Sequence, residues 1–291
     1  MKEWTPENNP YKTLLADVTH KCNMNCANCY IPNRSIPDMQ IDSLFDFLKR
    51  LPRRVEVRII GAEPTMRADL PQIISGIRSL GHRPVLLSNG LRLSSLSYVE
   101  ELKSNGLRHC YLSMNGVDND EWYEKIDNLA CAQKKNLALQ NLISTGFIPN
   151  VGCILVRGVN EGAPGRLVHL LEKLGARHCV IRLKNIGDLG RHIKEKSALL
   201  SLSEIISLVE AQLGIPKEEQ EASMSIKGFS EANTRFFPLK KGSKMGQGIW
   251  FKLTDWSVAN SDRDNKRRGR ITPEWKIAPF FEHVKQNEFG Y

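Results

Sequence analysis

The sequence predicts an α/β fold of parallel strands, and three observations predict it. Short apolar runs alternate with stretches whose apolar residues recur every three or four positions, the pattern of parallel strands joined by right-handed crossovers. The first apolar run ends directly at a loop, Lys21 to Tyr30, that holds three of the seven cysteines, and in parallel α/β barrels sites are built at strand ends. With 41% hydrophobic and 25% charged residues over 291 positions, the chain has the composition of a globular enzyme with a sizeable core.

Residues 1 to 12 are expected to form an irregular lead-in, because Pro6 and Pro10 oppose regular structure. Leu14 to Val18 is the first strand. Leu44, Phe47, Leu48 and Leu51 share a helical face, Val55 to Ile60 is a strand, Ile73, Ile74, Ile77 and Leu80 are helical again, and Val85 to Ser88 is a third strand. Leu96, Val99 and Leu102 continue a helix, Cys110 to Met114 and Val151 to Val156 are strands, Leu167, Leu170, Leu171 and Leu174 form a helix, and Cys179 to Leu183 is the sixth strand. The stretch Gly116 to Lys135 carries Asp118, Asp120, Glu121, Glu124 and Asp127. It is expected to mix a short helix with solvated surface, and no chemistry is assigned to it. Six units fall short of a closed eight-stranded barrel.

Beyond Leu183 the composition shifts. Leu202, Ile205, Ile206, Val209 and Leu213 give one more amphipathic helix, Pro216 to Gln220 a polar link, and Ile249 to Trp256 an aromatic strand. A polar loop, Asn260 to Gly269, then leads to a return at Arg270 to Thr272. Arg263, Lys266, Arg267, Arg268, Arg270 and Lys276 crowd this segment, either as a phosphate or carboxylate site or as the solvated tip of a hairpin. The expected division is a barrel of residues 1–200 and an extension of residues 201–291.

The net charge of +9 suits an anionic partner, although a basic surface is also common in proteins that bind nothing acidic. No run approaches the length of a membrane span, and the N-terminal residues lack an apolar signal core. The expectation is therefore a cytoplasmic protein, whose reducing surroundings leave thiols free for metal.

Cys22, Cys26 and Cys29 fall within eight residues, close enough to converge on one inorganic centre. Zinc normally takes a fourth protein ligand, for which His20 is the candidate, whereas an iron–sulfur cube held by three cysteines leaves one iron open for chemistry. Cys110, Cys131, Cys153 and Cys179 are singly spaced and read as small core hydrophobes.

The Cys-x3-Cys-x2-Cys spacing resembles the signature of the radical S-adenosylmethionine superfamily. Gly61-Ala62-Glu63-Pro64 is similar to that family's Gly-Gly-Glu-Pro stretch, Ser88-Asn89-Gly90 to the Thr-Asn-Gly ending its third strand, and Val156 to Glu161 to the end of the fifth strand in its molybdenum-cofactor cyclase and quinone-cofactor peptide branch. The resemblance runs over roughly residues 12 to 185. It departs from the pattern where Ala62 replaces the second glycine and where Asn28 stands in place of an aromatic residue.

The resemblance implies an α/β fold, a partial (βα)6 TIM-like barrel with a wide lateral opening and a C-terminal extension. It implies that Cys22, Cys26 and Cys29 bind three irons of a [4Fe-4S] cluster and that S-adenosylmethionine chelates the fourth. Reductive cleavage then gives a 5′-deoxyadenosyl radical that abstracts hydrogen from a small anionic substrate, with a flavodoxin or ferredoxin as electron donor. On this reading Gly61 and Ala62 contact the methionine amino end through backbone, and Glu63 accepts from that ammonium or pairs with an arginine. Ser88, Asn89, Ser113 and Asn115 reach the ribose or methionine portion, unless they are ordinary strand-end polarity. Arg157 and Arg182 sit on or beside apolar strands, where an unpaired charge is costly, and are expected to face the cofactor carboxylate or the substrate. Cys153 shares the expected face of Arg157 and is a candidate hydrogen-atom donor. The chain has no cysteine after Cys179, so the auxiliary cluster of many peptide-modifying relatives is not expected. Peptide modification is the alternative within the enzyme class, and a nucleic-acid-binding protein with a structural metal knuckle is the alternative outside it.

Overall fold

The computed structural model describes residues 3–27, 29, 31, 33–185, 196–222, 234–255 and 268–280. Asn28, Arg263, Lys266 and Arg267, all singled out in the sequence, lie outside the described residues.

Six strand-helix units follow one another as the periodicity predicts. They are β1 (Thr13–Thr19), α1 (Ile41–Lys49), β2 (Glu56–Gly61), α2 (Leu70–Ser79), β3 (Arg83–Ser88), α3 (Leu96–Ser104), β4 (His109–Ser113), α4 (Asp120–Asp127), α5 (Ala132–Ser144), β5 (Ile148–Leu155), α6 (Ala163–Lys173) and β6 (His178–Asn185). The C-terminal third adds α7 (Leu202–Leu213), α8 (Lys217–Ala222), β7 (Thr234–Pro238), β8 (Gly248–Thr254), β9 (Arg268–Ile271) and β10 (Ile277–Pro279). Local chemistry sets the boundaries. Ser201 and Glu204 close a reciprocal capping box on α7, and Gly214 ends it at φ 66°. Asn119 caps α4 by accepting from the Trp122 amide.

Among the described residues ten strands form one sheet, in the order β10-β9-β1-β2-β3-β4-β5-β6-β8-β7. β1 through β6 pair in parallel in sequence order, β8 lies parallel to β6 and β9 parallel to β1. Among the described residues only the edge strands β10 and β7 pair antiparallel. The expected six parallel strands are thus extended to eight by segments far along the chain. Arg268–Ile271 does not return against the aromatic strand as a hairpin. It crosses to the opposite margin of the sheet, with Thr13 opposite Arg268 and Leu15 opposite Arg270.

The sheet curls. β9 and β6 are six strands apart, about 29 Å in a flat sheet at 4.8 Å per step, yet the charge of Arg268 is felt by Arg182 on β6. Alternation then sorts the strand residues into two populations. Leu14, Ala16, Val18, Val57, Ile59, Leu86, Cys110, Leu112, Val151, Cys153, Ile181, Leu183, Phe251 and Leu253 join one buried core with Leu44, Phe47, Ile73, Ile77, Val99, Leu139 and Leu167 from the helices. The other face, turned to the interior of the trough, carries Asp17, Glu56, Arg58, Tyr111, Arg182, Lys184 and Arg270.

Candidate active site at the mouth of the barrel

The cysteine loop leaves β1 at Thr19 and is fastened at several points. The Thr19 hydroxyl donates to Asp38 (2.6 Å) and accepts from the Lys21 amide (3.1 Å), and Lys21 pairs with Asp38 at 3.0 Å. The Ala27 amide donates to the Ile126 carbonyl of α4 (3.1 Å), and Asn128 Nδ2 to the Asn25 carbonyl (2.8 Å). Cys22, Cys26 and Cys29 are free and partly buried. All three line a cavity of about 280 Å³ whose wall also takes in the C-terminal ends of β2 through β6, the face on which parallel barrels build their sites.

Burial pushes the Cys22 thiol up, and it pushes the Cys26 thiol further, with Asp127 adding to the effect. Burial thus favours the neutral thiol at Cys22 and Cys26, and a bound metal would supply the positive charge that holds them as thiolates. Arg34 Nη2 donates to Cys29 Sγ at 3.1 Å. His20, the candidate fourth ligand, is buried, its imidazole pKa is depressed by burial, and it is not part of the cavity wall. Among the described residues no three His, Cys, Asp or Glu side chains are gathered tightly enough for a single ion.

Gly61 is required where it stands. Its φ is +140°, and a Cβ there would lie 2.2 Å from the Thr19 carbonyl oxygen, a collision between backbones that no rotamer relieves. Past it, the Ala62 amide donates to Thr19 O and the Glu63 amide to Lys21 O, both at 2.9 Å. Glu63 is 1% exposed. Its Oε1 accepts from the Thr65 amide (3.1 Å), Thr65 Oγ1 (2.6 Å) and Ser88 Oγ (2.8 Å), and its Oε2 from the Asn89 amide (2.6 Å). No arginine pairs with it among the described residues. The carboxylate is a keystone joining the end of β2 to the end of β3, a role that the sequence pattern alone did not separate from cofactor contact. Asn89 Nδ2 donates to Asn23 of the cysteine loop (2.8 Å).

Ser88, Asn89, Ser113, Asn115 and Arg182 all line the cavity with Gly61, Ala62 and Glu63. Arg157 and Cys153 do not, and both expectations are corrected. β5 ends at Leu155, so Arg157 sits in the following turn, where it pairs with Glu204 at 2.7 Å, with 44% of its side chain exposed, and donates to Leu199 O. Cys153 is fully buried among the helix-packed residues, on the face of β5 opposite Gly152 and Ile154, which line the cavity. Asn160 Nδ2 lies 3.6 Å from its sulfur.

Four residues of the site escaped the sequence reading. Tyr111 on β4 is stacked between two guanidinium groups, Arg58 of β2 at 5.1 Å and Arg182 of β6 at 4.8 Å from the ring centroid. Burial would lower Arg58, but Tyr111 and Glu56 outweigh it. Arg182 is brought down to about 10, chiefly by burial and further by Arg58 and Arg268. Lys184, two residues on, is brought down to about 8 by burial and by Arg182. Asp127, at the end of α4, is 3% exposed and lines the cavity beside Cys26. The period-two alternation along β2, β4 and β6 was the available signal for the first three. Asp127 carried none, because its neighbours come from a distant loop.

A curled parallel sheet with a three-cysteine loop across its strand ends defines a cofactor-carrying barrel enzyme. Residues 17–171, more than half of the chain, match the Radical SAM superfamily, and the protein belongs to that superfamily. It is 29% identical over 225 residues to a 7,8-dihydro-6-hydroxymethylpterin dimethyltransferase of Methanocaldococcus jannaschii, covering 70% of this chain and 43% of that protein. It is 28% identical over 216 residues to a probable GTP 3',8-cyclase of Saccharolobus islandicus, covering 72% and 69%. Among solved structures, Streptococcus suis SuiB bound to precursor peptide SuiA superposes with a TM-score of 0.58 at 16% identity, over 69% of this chain and 45% of SuiB. Native anSMEcpe with bound AdoMet and a peptide gives 0.55 at 16% identity, over 69% and 58%. The chain thus spans less than half of the dimethyltransferase and of SuiB. These structures share the partial barrel. No helix among the described residues is long and apolar enough to cross a membrane.

Proposed function

We propose that Cys22, Cys26 and Cys29 hold three irons of a [4Fe-4S] cluster, that S-adenosylmethionine occupies the cavity they line, and that a small anionic substrate lies in the same cavity against Arg182. The observation that carries the substrate class is the Arg58–Tyr111–Arg182 stack on the inner face of the trough. A guanidinium buried deeply enough to lose affinity for its own proton is an expensive arrangement, and an anion docked on it offsets the cost while gaining a bidentate partner.

The cavity fits the cofactors on its own chemistry. Three free thiols form the donor set, the glycine at position 61 keeps backbone rather than side chain at the wall, and a buried carboxylate oxygen of Asp127 lacks a donor among the described residues. Bound there, the cluster and S-adenosylmethionine would supply reductive C–S cleavage and hydrogen abstraction from substrate. The chain supplies the rest. Met24, Ile31, Ile60, Leu87, Leu112 and Ile154 exclude water from the cavity. Glu63 fixes the spacing of the β2 and β3 ends, and Arg182 with Lys184 neutralises the substrate. A small flavodoxin or ferredoxin is the class of electron donor that such a centre requires. The cyclase relative takes GTP by name, a polyanion, in keeping with the cationic interior.

The test is anaerobic reconstitution of the full chain. About four irons and four sulfides per chain, with 5′-deoxyadenosine formed on reduction in the presence of S-adenosylmethionine, support the reading; Cys26→Ala should lose both. One bound zinc without sulfide would overturn it. Turnover of a peptide in place of a small anion would overturn the substrate assignment alone.

A further inference from the structure

Asp127 is a buried carboxylate with one oxygen explained and one not. Its Oδ1 accepts from Asn115 Nδ2 at 2.9 Å, while Oδ2, buried, has no hydrogen-bond partner among the described residues. Asn115 is itself fixed, since its Oδ1 accepts from the Ile154 amide (2.9 Å). Lys135, the nearby cation, donates to Ser113 O at 3.0 Å and lies over the Tyr123 ring. The residue lines the cavity between Asn115 and Cys26. An unmade bond at a buried acceptor is costly, so a donor belongs there, and the cavity is where it would come from.

We infer that Asp127 Oδ2 accepts hydrogen bonds from the ribose hydroxyls of S-adenosylmethionine. The inference rests on the cofactor assignment above and goes beyond it. With its amino and carboxylate groups taken up at the open iron on that assignment, the ligand would have the ribose diol and the adenine amine as its remaining donors. A carboxylate oxygen matches a pair of vicinal hydroxyls better than a single aromatic amine, because it has lone pairs enough for both. Asp127, at the end of α4, lines the same cavity as Gly61 and Glu63 at the end of β2, so one cavity would hold the two ends of the same molecule. A carboxylate beside a cluster of anionic thiolates is tolerable when a donor intervenes.

Binding is measured by calorimetry on the anaerobically reconstituted full chain, with S-adenosylmethionine, 5′-deoxyadenosine and 2′,5′-dideoxyadenosine as titrants. Wild type should bind 5′-deoxyadenosine at least about tenfold more tightly than its 2′-deoxy counterpart. Asp127→Asn should lose that discrimination while its iron content stays at the wild-type level, and Asp127→Glu should recover part of it. Equal affinity of the wild type for the two nucleosides would overturn the inference even if the variants failed to fold, as would discrimination surviving intact in Asp127→Asn. Wild type that assembles a cluster but binds no S-adenosylmethionine would instead sink the cofactor assignment.

Discussion

Arg270 on β9 donates through Nε to Asp17 Oδ2 on β1 at 2.6 Å, with 2% and 5% of the two side chains exposed. The pair joins residues 253 positions apart and pins the C-terminal strand to the first strand of the barrel, inside the trough. Breaking a buried pair by removing one partner leaves an uncompensated charge, at a cost of about 3–5 kcal/mol. Arg270→Ala should therefore lower unfolding free energy by that amount in urea denaturation. Asp17→Asn should cost comparably, and the double variant Asp17→Asn with Arg270→Met should recover part of the loss.

Gly61→Ala would place a methyl group 2.2 Å from Thr19 O at a φ of +140°. The strain falls on the junction that holds the cysteine loop to β2, so the expected outcome is less iron per chain after reconstitution as well as a lower melting temperature. Glu63→Gln, which replaces an acceptor of four bonds by a group with donors of its own, should cost about 1–3 kcal/mol. Gly61→Ala with full iron content would show that the close approach is not what seats the loop.

Lys184 titrates at about 8, lowered by burial and by Arg182. Below that pH it is charged and above it neutral, so affinity for an anion in the trough should fall as pH rises through about 8. Titrating inorganic phosphate or GTP against the reconstituted protein from pH 7 to pH 9 checks this. Lys184→Met should flatten the profile, and Arg182→Met should weaken binding across the whole range.

Arg157 pairs with Glu204 at the surface, where such pairs contribute about 0.2–1 kcal/mol. Arg157→Ala should leave iron content and 5′-deoxyadenosine formation at wild-type levels. Cys153→Ala, which empties a buried site in the helix-packed core, should lower stability without altering the hydrogen source of the product, as read by deuterium incorporation from solvent. Lost turnover in Arg157→Ala would return that residue to the site.

The elements whose signal is local were legible in the sequence. Leu14 to Val18 lies within β1, Val85 to Ser88 within β3, and the face of Leu44, Phe47 and Leu48 buries as its spacing requires. The cysteine loop was legible because three thiols in eight residues have few other uses. What did not show was pairing at a distance. Nothing near Arg268 announces that it runs parallel to Thr13, because parallel neighbours share no turn. Arg157 was misplaced because period-two reasoning was carried two residues past the end of β5. Asp127 was passed over in an acidic stretch whose other members, such as Asp118 and Asp120, form surface pairs and a helix-end contact.

The margins of the sheet have a consequence for how the protein is made. A nascent chain that has only reached about residue 200 carries the cysteine loop and most of the cavity wall, yet β1 and β6 each present a row of unpaired amides and carbonyls. Those rows are templates for a second copy, and the segments that cover them, β9 and β8, are synthesised later. Fragments that end near residue 200 should accordingly precipitate during expression, and metal loading of such fragments would report on aggregates rather than on the native centre.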